Sequence, residues 1–159
     1  MRSVKRKIIY LFSLVIWSYA LLYAQYKLDI NIRYMSGYSN YPTIKEGSVG
    51  ISLPIDEVEN DKLYKMYDPM SYENIVKRVV AVPGDTVEIK DGKLYINGVE
   101  DSSSFSKNAD YSNKNGLRVV VPENEYFVLG DNRNISIDSR YFGTVPKELI
   151  IDKVLFTIY

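Results

Sequence analysis

Hydrophobic positions along this chain follow two regimes. From Ile8 to Ala24, seventeen consecutive residues carry no charge, and only Ser13 and Ser18 are polar without an aromatic ring. As a helix rising about 1.5 Å per residue the run reaches roughly 26 Å, near the lower limit for crossing a bilayer core of about 30 Å. Past residue 30 the pattern changes to short apolar runs, several of them alternating, separated by turn residues. These predict strands over Val49–Leu53, Ile75–Val82, Thr86–Lys90, Lys93–Ile96, Leu117–Val121, Glu125–Leu129 and Val154–Tyr159. Asp91-Gly92 joins two of them as a hairpin, because that pair tolerates the positive φ angles of a two-residue turn. Pro146 to Leu149 predicts a single helical turn, with Thr144 a candidate cap, and the Ser-, Asn- and Asp-rich segment 101–116 predicts an exposed loop. Long amphipathic helices are missing. The expected fold is mainly β, built of antiparallel sheets or a barrel, with one N-terminal transmembrane helix. Residues 1–30 are then a basic stub and anchor, and 31–159 a separate β-domain.

Composition narrows the chemistry. The 159 residues include no histidine and no cysteine. That excludes Ser-His and Cys-His hydrolases, thiol redox centres, disulfides and zinc sites of the usual ligand type. Any general base must be Lys, Asp, Glu, Tyr or a terminus. No cofactor or metal is implied. Basic and acidic side chains balance at 20 each, but Arg2, Lys5, Arg6 and Lys7 crowd the first seven residues. The other 152 residues therefore carry 16 basic against 20 acidic groups, a poor surface for nucleic acid. Basic residues ahead of an apolar run predict a cytoplasmic N-terminus, with Lys27 onwards outside. A cleaved signal peptide is the rival reading. It fits less well, because Leu22 stands where a small residue should precede Ala24 in a small-x-small site. A buried core helix fits less well still, since the run is apolar all round.

Three segments of the β-region carry candidate chemistry. Gly37 to Ile44 has the Ser, Asn and Pro of an ordinary polar turn, and Ser39 lies within it. In the strand Ile75–Val82, alternation puts Ile75, Lys77 and Val79 on one face. If that face is buried, desolvation disfavours the ammonium form of Lys77 and makes it a proton acceptor. If the strand is an edge, the same lysine snorkels to water and blocks aggregation. Gly130 to Gly143 follows an apolar strand and gathers Asp131, Arg133, Asp138 and Arg140. These can form either surface ion pairs or a buried network that fixes a site's geometry.

Taken together the three segments resemble the bacterial type I signal peptidases, membrane-bound Ser-Lys endopeptidases. Ser39-Asn40-Tyr41-Pro42-Thr43 is similar to that family's Ser-Met-x-Pro-Thr box. Lys77 to Asp85 matches Lys-Arg-Val-x-x-x-Pro-Gly-Asp throughout, and Gly130 to Gly143 matches Gly-Asp-Asn-Arg-x-x-Ser-x-Asp-Ser-Arg-x-x-Gly throughout. The single anchor and short cap loop look most like Gram-positive members. The resemblance implies a barrel-like signal-peptidase fold of antiparallel sheets. It implies Ser39 as nucleophile, Lys77 as general base and Ser136 as the residue that orients the lysine. The Ser39 backbone N–H would form part of the oxyanion hole. Asp131, Asp138 and Arg140 would hold the third box together. A serine hydroxyl that some relatives add two positions before the nucleophile is absent, the residue here being Gly37.

By the same resemblance the partners are preprotein signal peptides and the lipid bilayer, with no nucleic acid and no cofactor. The catalytic domain sits on the outer face of the cell membrane. One residue departs from the family pattern: Asn40 replaces the usual Met directly after the nucleophile, which predicts reshaped pockets, narrower substrate choice or slower turnover. It also motivates an alternative expectation, a specialised or weakly active factor that serves pilin-like proteins in pilus assembly.

Overall fold

The computed structural model describes residues 2–159, with the side chains of Arg2, Ser3 and Leu28 left undescribed. Of the four basic residues that open the chain, Arg2 therefore has its side chain outside the described part. The chain divides into two compact units, one ending at Asn31 and the other running Ile32–Tyr159.

The first unit is a single helix, α1 (Arg2–Leu28). Its stretch Val4–Lys27 is long and apolar enough to cross a membrane, and none of it is buried within the protein. The two serines inside the run turn their hydroxyls back on the helix. Ser13 Oγ donates to Tyr10 O and Ser18 Oγ to Val15 O, each at 2.8 Å. Both hydroxyl protons are thus satisfied without water, which an apolar surrounding demands. The helix ends where Asp29 turns left-handed (φ +50°) and Ile30 N donates to Gln25 O at 3.1 Å.

The strands are β1 (Asn31–Tyr34), whose first residue closes the first unit, and then, in the second unit, β2 (Val49–Pro54), β3 (Leu63–Tyr67), β4 (Asn74–Ala81), β5 (Thr86–Lys90), β6 (Lys93–Ile96), β7 (Val99–Glu100), β8 (Arg118–Val120), β9 (Glu125–Leu129), β10 (Val145–Pro146) and β11 (Ile150–Ile158). A short helix, α2 (Ser139–Phe142), lies between β9 and β10. Seven strands form one sheet in the order β1-β2-β11-β3-β4-β9-β10, and four form another in the order β7-β6-β5-β8. The neighbouring pairs β11–β2, β11–β3, β3–β4, β4–β9, β9–β10, β5–β6, β5–β8 and β6–β7 are all antiparallel. The mainly antiparallel β architecture is thus the observed one.

Period-two alternation places the cores. On β9, Tyr126 and Val128 face one hydrophobic cluster, while Phe127 and Leu129 face the other. On β4, Val79 joins the first of these with Tyr64 and Met66, whereas Val80 and Ala81 join the second with Val87, Ile89 and Leu94. A register shift between Val79 and Ala81 lets β4 change its allegiance within three residues. Strands β4 and β9 therefore serve both cores. The hairpin forms where expected: Asp91 and Gly92 have φ of +51° and +70°, and Ile89 pairs with Leu94.

Several boundaries move. The last strand begins at Ile150, four residues before the expected start, because Asp152 is buried against Ser52 and Lys65 instead of ending the strand at the surface. Strand β3 escapes the hydrophobic pattern altogether. Residues 147–149 do form one helical turn, but its cap position is Pro146, and the Thr144 hydroxyl bonds to Glu125. Segment 101–116 is exposed only in part. Tyr111 is buried in the core beneath the smaller sheet, so the expected loop is pinned from below.

Candidate active site

Lys77 lies on β4 between Ile75 and Val79 on one face, opposite Tyr64 of β3. Both apolar neighbours pack against the same cluster, so the buried-face reading of this strand is the observed one. The residue is 3% exposed. Its ammonium donates to Ser136 Oγ at 3.0 Å and forms no ion pair among the described residues. Burial pushes its pKa below the ordinary lysine value. The more distant charges of Asp138 and Asp68 oppose that shift in part, and Arg140 adds to it.

Ser39 sits in the turn between β1 and β2, half-buried. Its hydroxyl accepts a long hydrogen bond, 3.5 Å, from Asn40 Nδ2, and makes none to Lys77. Its backbone N–H donates to no acceptor among the described residues. The turn is held against the segment after β9 by three bonds. Asn132 N donates to Ser39 O at 2.9 Å, Asn132 Nδ2 to Tyr38 O at 3.1 Å, and Asp131 N to Asn40 Oδ1 at 3.3 Å. Gly130 explains how closely the parts meet. A Cβ on it would lie 2.2 Å from Ser136 Oγ and 2.4 Å from Ser39 O, so only glycine lets the lysine-bonded serine and the Ser39 backbone converge there. Gly37 N donates to Glu46, and its open side carries no hydroxyl.

The four charged residues of Gly130–Gly143 are all buried, but they pair differently from a single closed network. Asp131 takes a bidentate bond from Arg78 of β4, Nε to Oδ1 and Nη2 to Oδ2, both at 2.7 Å. Asp138, fully buried, pairs with Arg140 at 2.7 and 2.8 Å, accepts from Gly130 N at 3.0 Å and caps α2. Arg140 also donates to Ser136 O at 3.1 Å, which fixes the backbone of the serine beneath Lys77. Arg133 turns instead to the 101–116 segment, donating to Asp101 Oδ2, Ser106 Oγ and Tyr111 OH. Burial pushes the Asp101 carboxyl up, but hydrogen bonds from Ser106 and Ser103 and the charge of Arg133 outweigh it and hold it below the usual range.

Aromatic rings of that segment join the separate pairs. Phe105 lies 4.7 Å from the Arg78 guanidinium and 5.8 Å from that of Arg133, and the Tyr111 ring lies 5.4 Å from that of Arg140. Arg78, Asp101, Phe105 and Tyr111 are the residues that sequence patterning did not assign to the site. For Arg78 the alternation of β4 was the available signal, since it faces opposite to Lys77. For the loop residues there was none, because the arginines they contact lie 22 or more residues away in sequence.

A cleft of about 390 Å³ opens beside Ser39 and Asn40, lined by Tyr34, Met35, Ile44, Ile75 and Val76 among others. The Ser39 hydroxyl and its peptide N–H, unpaired among the described residues, lie beside this part-apolar cleft, whereas the desolvated Lys77 amine, held by a second serine, is not among the residues lining it.

Known proteins match the chain along most of its length. A family model described as signal peptidase, peptidase S26, covers residues 7–159. Signal peptidase IB of Staphylococcus aureus (strain Mu50 / ATCC 700699) is 31% identical over 162 residues, spanning 89% of this chain and 84% of the relative. Signal peptidase I V of Bacillus subtilis (strain 168) is 31% identical over 135 residues, spanning 74% and 79%. A crystal structure of a signal peptidase I from Enterococcus faecalis V583 has 33% identity and a TM-score of 0.48, covering 66% of this chain and 99% of that one. With the family model spanning both the helix and the β-region, the chain belongs to the peptidase S26 family of signal peptidases, among its bacterial type I members.

Proposed function

We propose that this chain is a membrane-anchored serine endopeptidase that cleaves signal peptides from exported preproteins, with Ser39 as nucleophile and Lys77 as general base. The observation that carries the reading is the buried Lys77 amine, without a carboxylate partner among the described residues and held by Ser136 where β4 meets the Gly130–Gly143 segment. Neutral Lys77 takes the Ser39 hydroxyl proton as Oγ attacks the scissile carbonyl carbon. The tetrahedral oxyanion accepts a hydrogen bond from the Ser39 N–H, a donor of the kind worth about 3–4 kcal/mol of transition-state stabilisation. The lysine then passes its proton to the departing amine. A water molecule, deprotonated by the same lysine, hydrolyses the Ser39 ester and frees the signal peptide's new carboxylate.

Substrate binds as an extended strand along the cleft, and small pockets select small residues before the cut. Anchoring by α1, N-terminus inside and residues 31–159 outside, raises the effective concentration of enzyme at the point where a signal peptide leaves the bilayer. Detergent-solubilised full chain should cleave a preprotein with an Ala-x-Ala site. Ser39→Ala and Lys77→Ala should each abolish turnover without loss of fold. Wild-type turnover in either variant, or equal and negligible turnover in all three proteins, refutes the reading.

A further inference from the structure

We propose that Asn40 is a positioning residue whose side-chain amide sets the approach of Ser39 to Lys77; this rests on the dyad reading above. Among the described residues, the turn that carries Ser39 makes three hydrogen bonds to the segment after β9, but only one to β4, the strand that carries Lys77. That one is Asn40 Nδ2 to Val76 O, a short 2.6 Å contact to the carbonyl directly preceding the lysine. The same amide accepts from Asp131 N through Oδ1, while the Asn40 carbonyl accepts from Ile44 N at 2.9 Å and closes the turn. Asn40 is 5% exposed, so both ends of the amide exchange these partners for no water.

One planar group therefore bridges three segments at sequence positions 40, 76 and 131. A hydrophobic side chain there would fill the space but leave the turn tied to one side only. The gap between the Ser39 hydroxyl and the Lys77 amine would then be set by loose packing, and a misplacement of about 1 Å is worth on the order of a hundredfold in rate. The residue that departs from the common box is thus a clamp of the catalytic geometry, and its effect belongs in turnover and not in substrate affinity.

The test compares wild type, Ser39→Ala, Asn40→Leu and Asn40→Ser on a preprotein with an Ala-x-Ala site, with full pH–rate profiles and thermal melts. Leu matches Asn in size without its polar atoms, and Ser, a good turn residue, is too short to reach Val76. If one of the two fails to fold, the other carries the test. The expected result is kcat lower by about 10- to 100-fold, KM within threefold, and an unmoved midpoint of the pH profile, because the burial of Lys77 is unchanged. An unchanged kcat, a loss confined to KM, or a shifted midpoint overturns the clamp. An active Ser39→Ala instead refutes the dyad itself, so the two failures are distinguishable.

Discussion

Replacing Gly130 by Ala tests the tightest convergence in the site. Gly130 does not have a positive φ, so alanine meets no backbone objection, and the penalty is steric alone. The new methyl would lie 2.2 Å from Ser136 Oγ, 2.6 Å from Ser136 Cβ and 2.4 Å from Ser39 O, where ordinary contact starts at 3.4 Å. Turning the Ser136 side chain relieves only the first of these, so backbone must yield. Ser136 is tied by Arg140 through its carbonyl and by its own N–H to Asn132 O at 3.0 Å, while Ser39 O is tied to Asn132 N. The movement of roughly 1 Å that relieves the overlap thus separates Ser39 from the serine that holds Lys77, at an expected cost of about a hundredfold in kcat. Overpacking of this kind costs about 1–3 kcal/mol. For a domain of this size that lowers the melting temperature by roughly 4–11 °C. Cleavage kinetics and a thermal melt on the same preparation read both effects. Wild-type kcat together with an unchanged melt would refute the close approach on which the site geometry rests.

Four further outcomes follow. Cleavage rate should rise with pH through a midpoint below 10.5, the ordinary lysine value, because neutral Lys77 is the active form and burial lowers its pKa; a rate flat from mildly acidic to alkaline pH contradicts this. The same shift destabilises the fold wherever the buried amine is charged. The unfolded chain binds more protons between the folded pKa and 10.5, so stability rises with pH across that window. Lys77→Met should therefore melt higher than wild type at acidic pH, with the advantage shrinking as pH approaches 10.5. Asp138→Ala should cost about 3–5 kcal/mol in denaturant unfolding, since it strands a buried guanidinium. Asp131→Ala should cost less, because Arg78 keeps the Asp61 carbonyl at 2.9 Å; the reverse order would show that the pairs are misassigned. A chain lacking residues 1–30 should keep its β-sheet circular dichroism but move from the vesicle pellet to the supernatant in a liposome sedimentation assay.

The role of Asn40 is set by partners far from it in sequence. Read as sequence, a polar residue directly after Ser39 suggests reshaped pockets, narrower substrate choice or slower turnover. In the structure the amide is buried and satisfied at both ends, so it reads as a tie between segments. What decides between the two is whether the donor has an acceptor, and that acceptor is 36 residues away.

Sequence alone determined whatever depends on neighbours in the chain. Alternation left the Lys77 face open between a buried and an edge placement, but the apolar helix, the 86–96 hairpin and strand Glu125–Leu129 all follow from local periodicity and turn chemistry, which act over a few residues. So did the exclusion of histidine and thiol mechanisms, which needs only a count. Strand β3 stayed hidden because Tyr64 and Met66 alternate with Leu63 and Lys65, giving no clean contrast between faces. Only tertiary structure decided that Arg78 pairs with Asp131, that Arg133 reaches Asp101, and that Asp152 can lie inside a strand. Those partners are chosen by geometry across sheets, where a buried charge must find its counterpart at whatever sequence distance the fold supplies one.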